Sequence, residues 1–400
     1  MNIGVYVVSY AQSAGGGYTF EQEILTSLSR VAPYCNHQIT IFYDDYMPGD
    51  KSTAFNPKNL RSIFLKQPVP KSKPKSLREK FTSRLAPRKF VEEENTFQQI
   101  TERENIEFIW FPTPAYSYIE IPYIATMWDI QHRLQPWFPE VGRLPEWTGR
   151  ESYYATHLRR ASFLVVGTNI GAQELAFFYQ IPMEHIRILP LPVPSIESLP
   201  TLEYVAKVLL KYNIPPNYLF YPAQFWSHKN HANLLLALQV LEKTYGEEKH
   251  LVLTGSDHGN LEHVRNLVHK LNLQDRVHFL GFVPRDELIA LYSGAYALVF
   301  VSLFGPDNLP PLEAFKCNCP VIVSDYDGAR EQYGDAPLFV NSLNPNEIAQ
   351  AVYRLGQEPD LRRRLIEKGR QRAMVYSGTD YVHDIMKIFD DFEAIRRNWK

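Results

Sequence analysis

Short apolar runs alternate with segments of helical period along most of this chain, the pattern of βα units feeding a parallel sheet. Residues 3–8 read as the first strand. After the turn Gly15-Gly16-Gly17, residues 19–31 read as a helix with Phe20, Ile24, Leu25 and Leu28 on one face. Further strands are expected at 38–42, 107–111, 123–126 and 163–166. The run Leu189-Pro190-Leu191-Pro192-Val193-Pro194 fixes φ at alternate residues and excludes helix, so it reads as an extended connector. A new alternation follows, with strands at 218–221, 250–253, 277–280, 297–301 and 320–323.

Four hundred residues exceed what one hydrophobic core usually serves. The expected layout is an α/β domain at 1–195, a second at 196–378, and a terminal helix at 379–400 packed back on the body. In that helix Tyr381, Ile385, Ile388, Phe389 and Phe392 recur at helical spacing, and Thr379 is the expected N-cap.

Residues 66–89 break the rhythm with nine Lys or Arg residues, one acid at Glu79, and four prolines. They read as a basic loop insertion. Leu77, Phe81 and Leu85 recur among Arg78, Lys80 and Arg84, a short amphipathic pattern suited to peripheral contact with an anionic membrane surface. A solvated loop is the plain alternative.

A net charge of -2 gives no global attraction to nucleic acid, which is not an expected partner. Cys35, Cys317 and Cys319 are too few to staple the chain, so a reducing, cytoplasmic setting is expected. No partners with zinc spacing surround them. The apolar start has no basic leader or small-residue cleavage site, and no run of about 18 apolar residues occurs. The expectation is a protein without a signal peptide or membrane span, touching the inner face of a membrane peripherally if at all.

The most informative stretch is VSLFGPDNLPPLEAFKCNCPVIVSDYDGARE, from Val301 to Glu331, where an apolar strand empties into a Gly/Pro turn that opens a helix. Such a turn presents free N–H groups and the positive end of a helix dipole, which together suit a diphosphate. Glu313, one turn further, is placed to accept hydrogen bonds from ribose hydroxyls. Here the sequence resembles glycosyltransferase family 4, whose members are retaining enzymes of the two-domain GT-B fold. The resemblance is strongest over residues 218–373. It implies two Rossmann-like domains facing a central cleft, with two glutamates eight positions apart at the donor. Glu313 matches the second, and Gly305 stands where the first would be. Gly305-Pro306 resembles a subgroup in which Gly-Pro replaces that glutamate. The backbone of Asp307, Asn308 and Leu309, with the side chains of Asp307 and Asn308, is then expected to meet sugar and phosphate.

Upstream, Tyr221 to Asn230 resembles the family's second phosphate-binding turn, in which an Arg and a Lys neutralise the diphosphate. Lys229 keeps the cation; Ala223 and Gln224 stand where the Arg is expected. Leu253-Thr254-Gly255 and Leu280-Gly281-Phe282-Val283-Pro284 each close a strand, and by resemblance Phe282 or the Val283 backbone meets a uracil or guanine edge. Ligands in open α/β sheets lie beyond the carboxyl ends of strands, which puts these turns on one rim.

In the first domain the Gly15–Gly17 turn permits close backbone approach, so Gly16 and Gly17 are expected near the donor phosphate. Its spacing does not match G-x-G-x-x-G, which argues against a nicotinamide cofactor. Residues Ala125 to His132 resemble the family's strand end that often carries a His-Asp pair. Trp128 replaces the His, leaving Asp129 and His132 as candidates for orienting or deprotonating an acceptor hydroxyl. Asp325-Tyr326-Asp327 spells D-x-D, but its place after a strand marks a loop beside the donor. No metal or other cofactor is expected.

The resemblance implies retaining transfer of a hexose, glucose or another common one, from a nucleoside diphosphate sugar. UDP is the expected carrier. The acceptor is a saccharide or lipid-linked saccharide hydroxyl in polysaccharide or glycolipid assembly. The alternatives are a nucleotide-sugar epimerase on the same fold and a non-catalytic nucleotide-sugar-binding protein.

Overall fold

The strand order sets the position of everything that follows, because each of two parallel sheets reverses its winding once. The computed structural model describes residues 1–44, 59–65, 96–114 and 117–399; the basic loop 66–89, with its expected amphipathic helix, lies outside them. The first sheet comprises β1 (Asn2–Val7), β2 (Gln38–Asp44), β3 (Leu60–Leu65), β4 (Phe108–Phe111), β5 (Tyr123–Thr126), β6 (Phe163–Val166) and β7 (Ile186–Ile188). Its order is β3-β2-β1-β4-β5-β6-β7, parallel throughout. The second comprises β8 (Leu219–Pro222), β9 (Leu251–Thr254), β10 (Val277–Gly281), β11 (Ala297–Phe300), β12 (Val321–Ser324) and β13 (Leu338–Val340). Its order is β10-β9-β8-β11-β12-β13, also parallel. The winding reverses between β1 and β4 and between β8 and β11, the switch points at which doubly wound sheets open a crevice. The α/β expectation is met in both halves.

Strands β4, β5, β6, β9, β11 and β12 are buried at every residue, as expected of parallel strands covered on both faces. Three strands escape the sequence reading. Edge strand β3 is buried only at its two ends, Leu60 and Leu65, and carries Arg61, while β7 and β13 have three residues each, too short for a periodic signal. The first helix spans Gly16–Val31, starting three residues earlier than its apolar pattern suggests. Gly16, Gly17 and Tyr18 show no apolar period, yet their backbone continues the helical turn.

After β7 the chain passes through the proline connector, where Val193 forms a parallel bridge with Ser377 and its N–H donates to the Tyr376 carbonyl at 3.2 Å. The chain thus crosses twice between the halves, side by side. Buried Glu23 secures this crossing by accepting from Ser195 N–H at 2.7 Å and Oγ at 2.8 Å. The terminal helix runs Gly378–Arg396 and is capped by Ser377, not Thr379. Ser377 and Asp380 form a capping box, so the stronger reciprocal pair defines the cap two residues earlier. This helix packs on the first sheet's side of the molecule. Tyr381 meets Phe20 edge-on at 5.7 Å, and Phe392 lies 4.4 Å from Phe108 between ring centres. The first half's core is therefore completed by the last helix of the chain.

Candidate functional site

Between the carboxyl ends of the two sheets lies a cavity of about 920 Å³, within the size range of small-molecule sites. The turns after β1, β5, β8, β9, β10 and β11 all contribute to its wall. The halves approach closely around it. Glu140 accepts from the His228 N–H at 2.9 Å and pairs with His228 Nδ1 at 2.5 Å. The Gln135 amide donates to the Leu303 carbonyl at 2.9 Å. Asn169 N–H donates to the Glu331 carboxylate at 2.8 Å, and the Gln224 amide to the Ser13 carbonyl at 3.0 Å.

Lys229 lies in this wall, at the end of a short turn that puts its ammonium below the surface. Nζ donates to Asn308 Oδ1 at 3.3 Å and to Ser302 Oγ at 3.4 Å, and sits 5.3 Å from the Phe300 ring centre. Among the described residues no carboxylate pairs with it directly. Burial lowers its pKa to about 8, an effect that the charges of Asp129 and Glu140 oppose. An anion arriving here meets a cation already stripped of much of its water.

Asn308 is fixed from every side. Its N–H donates to Gln332 Oε1 at 2.8 Å, its carbonyl accepts from Gln332 Nε2 and Tyr333 OH, each at 3.0 Å, and its amide donates to Tyr326 OH at 3.2 Å. This corrects one expectation: the Asn308 N–H is spent on Gln332 and is not presented to a phosphate. The Asn308 side chain instead holds Lys229. Gln224 is likewise engaged at both ends of its amide, with Oε1 accepting from Trp226 Nε1 at 3.0 Å.

Glu313 is buried in the wall, held by Arg285 at 3.1 Å and by Tyr292 OH at 2.9 Å. A carboxylate has about four lone-pair directions, so these two donors leave capacity for ribose hydroxyls. Thr254, Phe282, Val283, Asp307 and Leu309 line the same cavity; half-exposed Phe282 offers a ring face, and Val283 is buried. Gly255 turns the chain after Thr254 with φ at +138°. A Cβ there would lie 2.4 Å from the Ala223 carbonyl, so only glycine lets the β8 and β9 turns sit side by side.

On the first-domain rim, Gly16 and Gly17 form the first turn of their helix, whose amino end faces the cavity. A Cβ on Gly16 would come within 3.9 Å of Leu309 across the cleft. Asp129 also lines the cavity, accepting from Gln131 N–H at 3.1 Å and Arg150 at 3.0 Å. His132 does not reach it. Its ring is fully buried in the first domain, with Nε2 between Glu151 at 3.2 Å and Tyr179 OH at 3.0 Å, edge-on to Tyr154. The expectation that His132 handles an acceptor hydroxyl is corrected: residues 131–134 form a helical turn that points the ring inward.

Asp307 has one oxygen buried without a hydrogen-bond partner. Burial, reinforced by Asp129, Glu174 and Glu331, raises its pKa to about 8. Burial likewise raises Glu174 to about 7. Asp307 packs so closely on Gly167 that a Cβ there would overlap its carboxylate, at 1.8 Å.

Arg285, Tyr292, Gln332, Glu140 and Arg150 escape the sequence reading. Arg285 directly follows the Val283-Pro284 turn and was the most accessible of them. The others depend on which helix face meets the cleft. Among the described residues only His37, Asp390 and Glu393 have metal-like spacing, and none lines the cavity. Asp325 of the D-x-D triplet pairs with Arg330, while Tyr326 bonds Asn308 and Tyr333. No described helix is long and apolar enough to cross a membrane.

Residues 210–372, which include Lys229, Arg285, Asn308 and Glu313, match the family Glycosyl transferases group 1. The O-antigen chain mannosyltransferase RfbU of Salmonella typhimurium is 33% identical over 144 residues, covering 36% of this chain and 40% of that protein. The chain spans less than two thirds of the length of the curated relatives it matches first. Among solved structures, WaaG, a glycosyltransferase involved in lipopolysaccharide biosynthesis, has a TM-score of 0.69 at 17% identity, covering 96% of this chain and 99% of that one. Anabaena Alr3699/HepE, solved in complex with UDP-glucose, has a TM-score of 0.67 at 15% identity, covering 98% of this chain and 100% of that one. The architecture is that of GT-B glycosyltransferases, two parallel-sheet Rossmann-like domains across a cleft.

Proposed function

We propose that this chain, with a Glycosyl transferases group 1 domain over residues 210–372, moves a hexose from a nucleoside diphosphate sugar to a hydroxyl of a saccharide or lipid-linked saccharide. The observation that carries the reading is Lys229, a buried ammonium with no directly paired carboxylate among the described residues, in the wall of a nucleotide-sized cavity that also holds Glu313. The diphosphate lies against Lys229 and the amino end of helix Gly16–Val31, the ribose against Glu313, and the base against Phe282 and the Val283 backbone. Asp129 orients the acceptor hydroxyl from the opposite rim.

In the step itself, the bond from the anomeric carbon to the diphosphate oxygen breaks and a bond to the acceptor oxygen forms on the same face. The acceptor proton passes to the departing phosphate oxygen. Retention follows the resemblance to family 4, with Gly305-Pro306 in place of its first glutamate, and no metal takes part. The protein contributes orientation, closure and leaving-group stabilisation. The mannosyltransferase activity named for RfbU favours mannose as the sugar, and the HepE complex with UDP-glucose favours glucose and a uridine carrier. Assembly of a surface polysaccharide or glycolipid on the cytoplasmic side, with residues 66–89 touching the membrane peripherally, completes the proposal.

The test is a panel of nucleotide sugars incubated with the pure protein without added metal, reading nucleoside diphosphate set free and the sugar's fate. Release from one donor, faster with a saccharide acceptor, is expected. An altered sugar on intact nucleotide would favour an epimerase, and tight donor binding with no release under any acceptor would favour a binding protein.

A further inference from the structure

We infer that Arg150 supplies, from the first domain, the second cation that the donor's diphosphate needs, in place of the arginine missing from the phosphate turn after β8. The inference rests on the donor site proposed above. In that turn Ala223 and Gln224 occupy the expected place, and the Gln224 amide is already committed to Ser13 and Trp226. The second domain therefore brings Lys229 alone to the phosphates. Arg285, the other cation of that domain in the cavity wall, is held at 3.1 Å by Glu313, the residue assigned to the ribose, and so belongs to the ribose end of the site and not to the phosphates. His228 is held by Glu140, and burial lowers its pKa to about 4, so it carries no charge at neutral pH.

Across the cleft, helix Leu144–His157 puts Arg150 into the same wall. One of its terminal nitrogens donates to Asp129 at 3.0 Å, and Asp129 is its only hydrogen-bond partner among the described residues. A guanidinium has five N–H donors in a planar fork, so most of this fork remains free. Asp129 also lies within electrostatic range of Lys229, whose pKa it raises. The carboxylate thus acts on both cations and holds the fork in the wall of the cavity that Lys229 also lines. Without Arg150, a diphosphate bearing at least two negative charges would face Asp129 with only Lys229 to oppose it. With Arg150, two cations on opposite rims meet one dianion, and the fork geometry permits a bidentate contact. Because the cations belong to different domains, leaving-group stabilisation is complete only when the cleft is closed.

The experiment titrates the whole protein and its Arg150→Ala, Arg150→Lys and Lys229→Ala variants with UDP, GDP, uridine and guanosine. With the diphosphate that wild type binds, Arg150→Ala is expected to weaken affinity about 10- to 100-fold. Affinity for the matching nucleoside should stay within about twofold, and Arg150→Lys should recover part of the loss because it restores charge without the fork. Equal diphosphate affinity in Arg150→Ala and wild type, with Lys229→Ala weakened, would overturn the inference. Equal losses for diphosphate and nucleoside would overturn it too, marking Arg150 as structural. Should wild type bind neither diphosphate, it is the donor site itself that fails.

Discussion

The two rims of the cleft are built on the same strand order yet present their polar groups in different ways. On the second-domain rim, Asn308 projects from the turn after β11 and Glu313 from the helix that this turn opens, and both are locked by neighbours in the same domain. Asn308 has Gln332, Tyr326 and Tyr333; Glu313 has Arg285 and Tyr292. On the first-domain rim the groups come from separate elements: glycines after β1, Asp129 after β5, and Arg150 and Glu140 from helices further along. One rim is therefore preorganised as a receptor, while the other is completed when the domains meet. Electrostatic stabilisation of a leaving group works best when its dipoles are fixed beforehand, which suits the donor to the second rim.

The largest expected effect lies at the docking of the terminal helix on the first domain. Phe392→Ala removes a buried ring from against Phe108 and should cost about 3–5 kcal/mol of stability. If the terminal helix belongs to the first domain, urea unfolding will show that domain melting early while nucleotide still protects the second. Simultaneous loss of both would mean that the rims share one cooperative unit.

Lys229→Ala is the next largest test, with donor turnover expected to fall about 10²- to 10³-fold, the usual loss on removing one oxyanion-stabilising donor. Unchanged turnover would remove the second rim's claim to the leaving group. The contrasting variant is His132→Phe, which deletes the nitrogen between Glu151 and Tyr179. It should cost about 1–3 kcal/mol of stability with turnover nearly unchanged. A large turnover loss at unchanged stability would return His132 to the reacting centre.

A weaker dependence on pH is expected of the second rim. Lys229 binds the anion as the ammonium, and burial sets its pKa in the free site at about 8. Below pH 8 the cation is present; above it, binding must take up a proton, so diphosphate affinity should fall by up to about tenfold per pH unit. Asp307, also near 8, gains negative charge over the same interval and acts in the same direction. Calorimetry in buffers of different ionisation enthalpy would detect the proton uptake, and a flat affinity between pH 7 and 9.5 would show that neither group titrates at the site.

The second rim was the more legible because its chemistry is local. Lys229 sits in the turn after β8 and Glu313 in the first turn of the helix that follows β11, and a strand-turn-helix unit leaves few places for the side chain to go. Asn308 was legible as a residue but not in its role, because Gln332 lies 24 positions away and takes the N–H that the sequence seemed to offer. On the first rim the sequence favoured Asp129 and His132 together, three residues apart. The helical turn at 131–134 sends one to the cleft and the other into the core, a choice made by Glu151, Tyr179 and Tyr154 packing from elsewhere.

By itself, the amino-acid sequence determined the α/β class of both halves, the main strands, and the polar turns of the second rim, since periodicity and turn chemistry act over a few residues. Tertiary structure alone decided the Ser377 cap's partnership with the proline connector, the docking of the last helix on the first sheet, and the placing of Arg150 and Lys229 in the wall of one cavity. Those depend on contacts between segments far apart in the chain, whose direction no local pattern encodes.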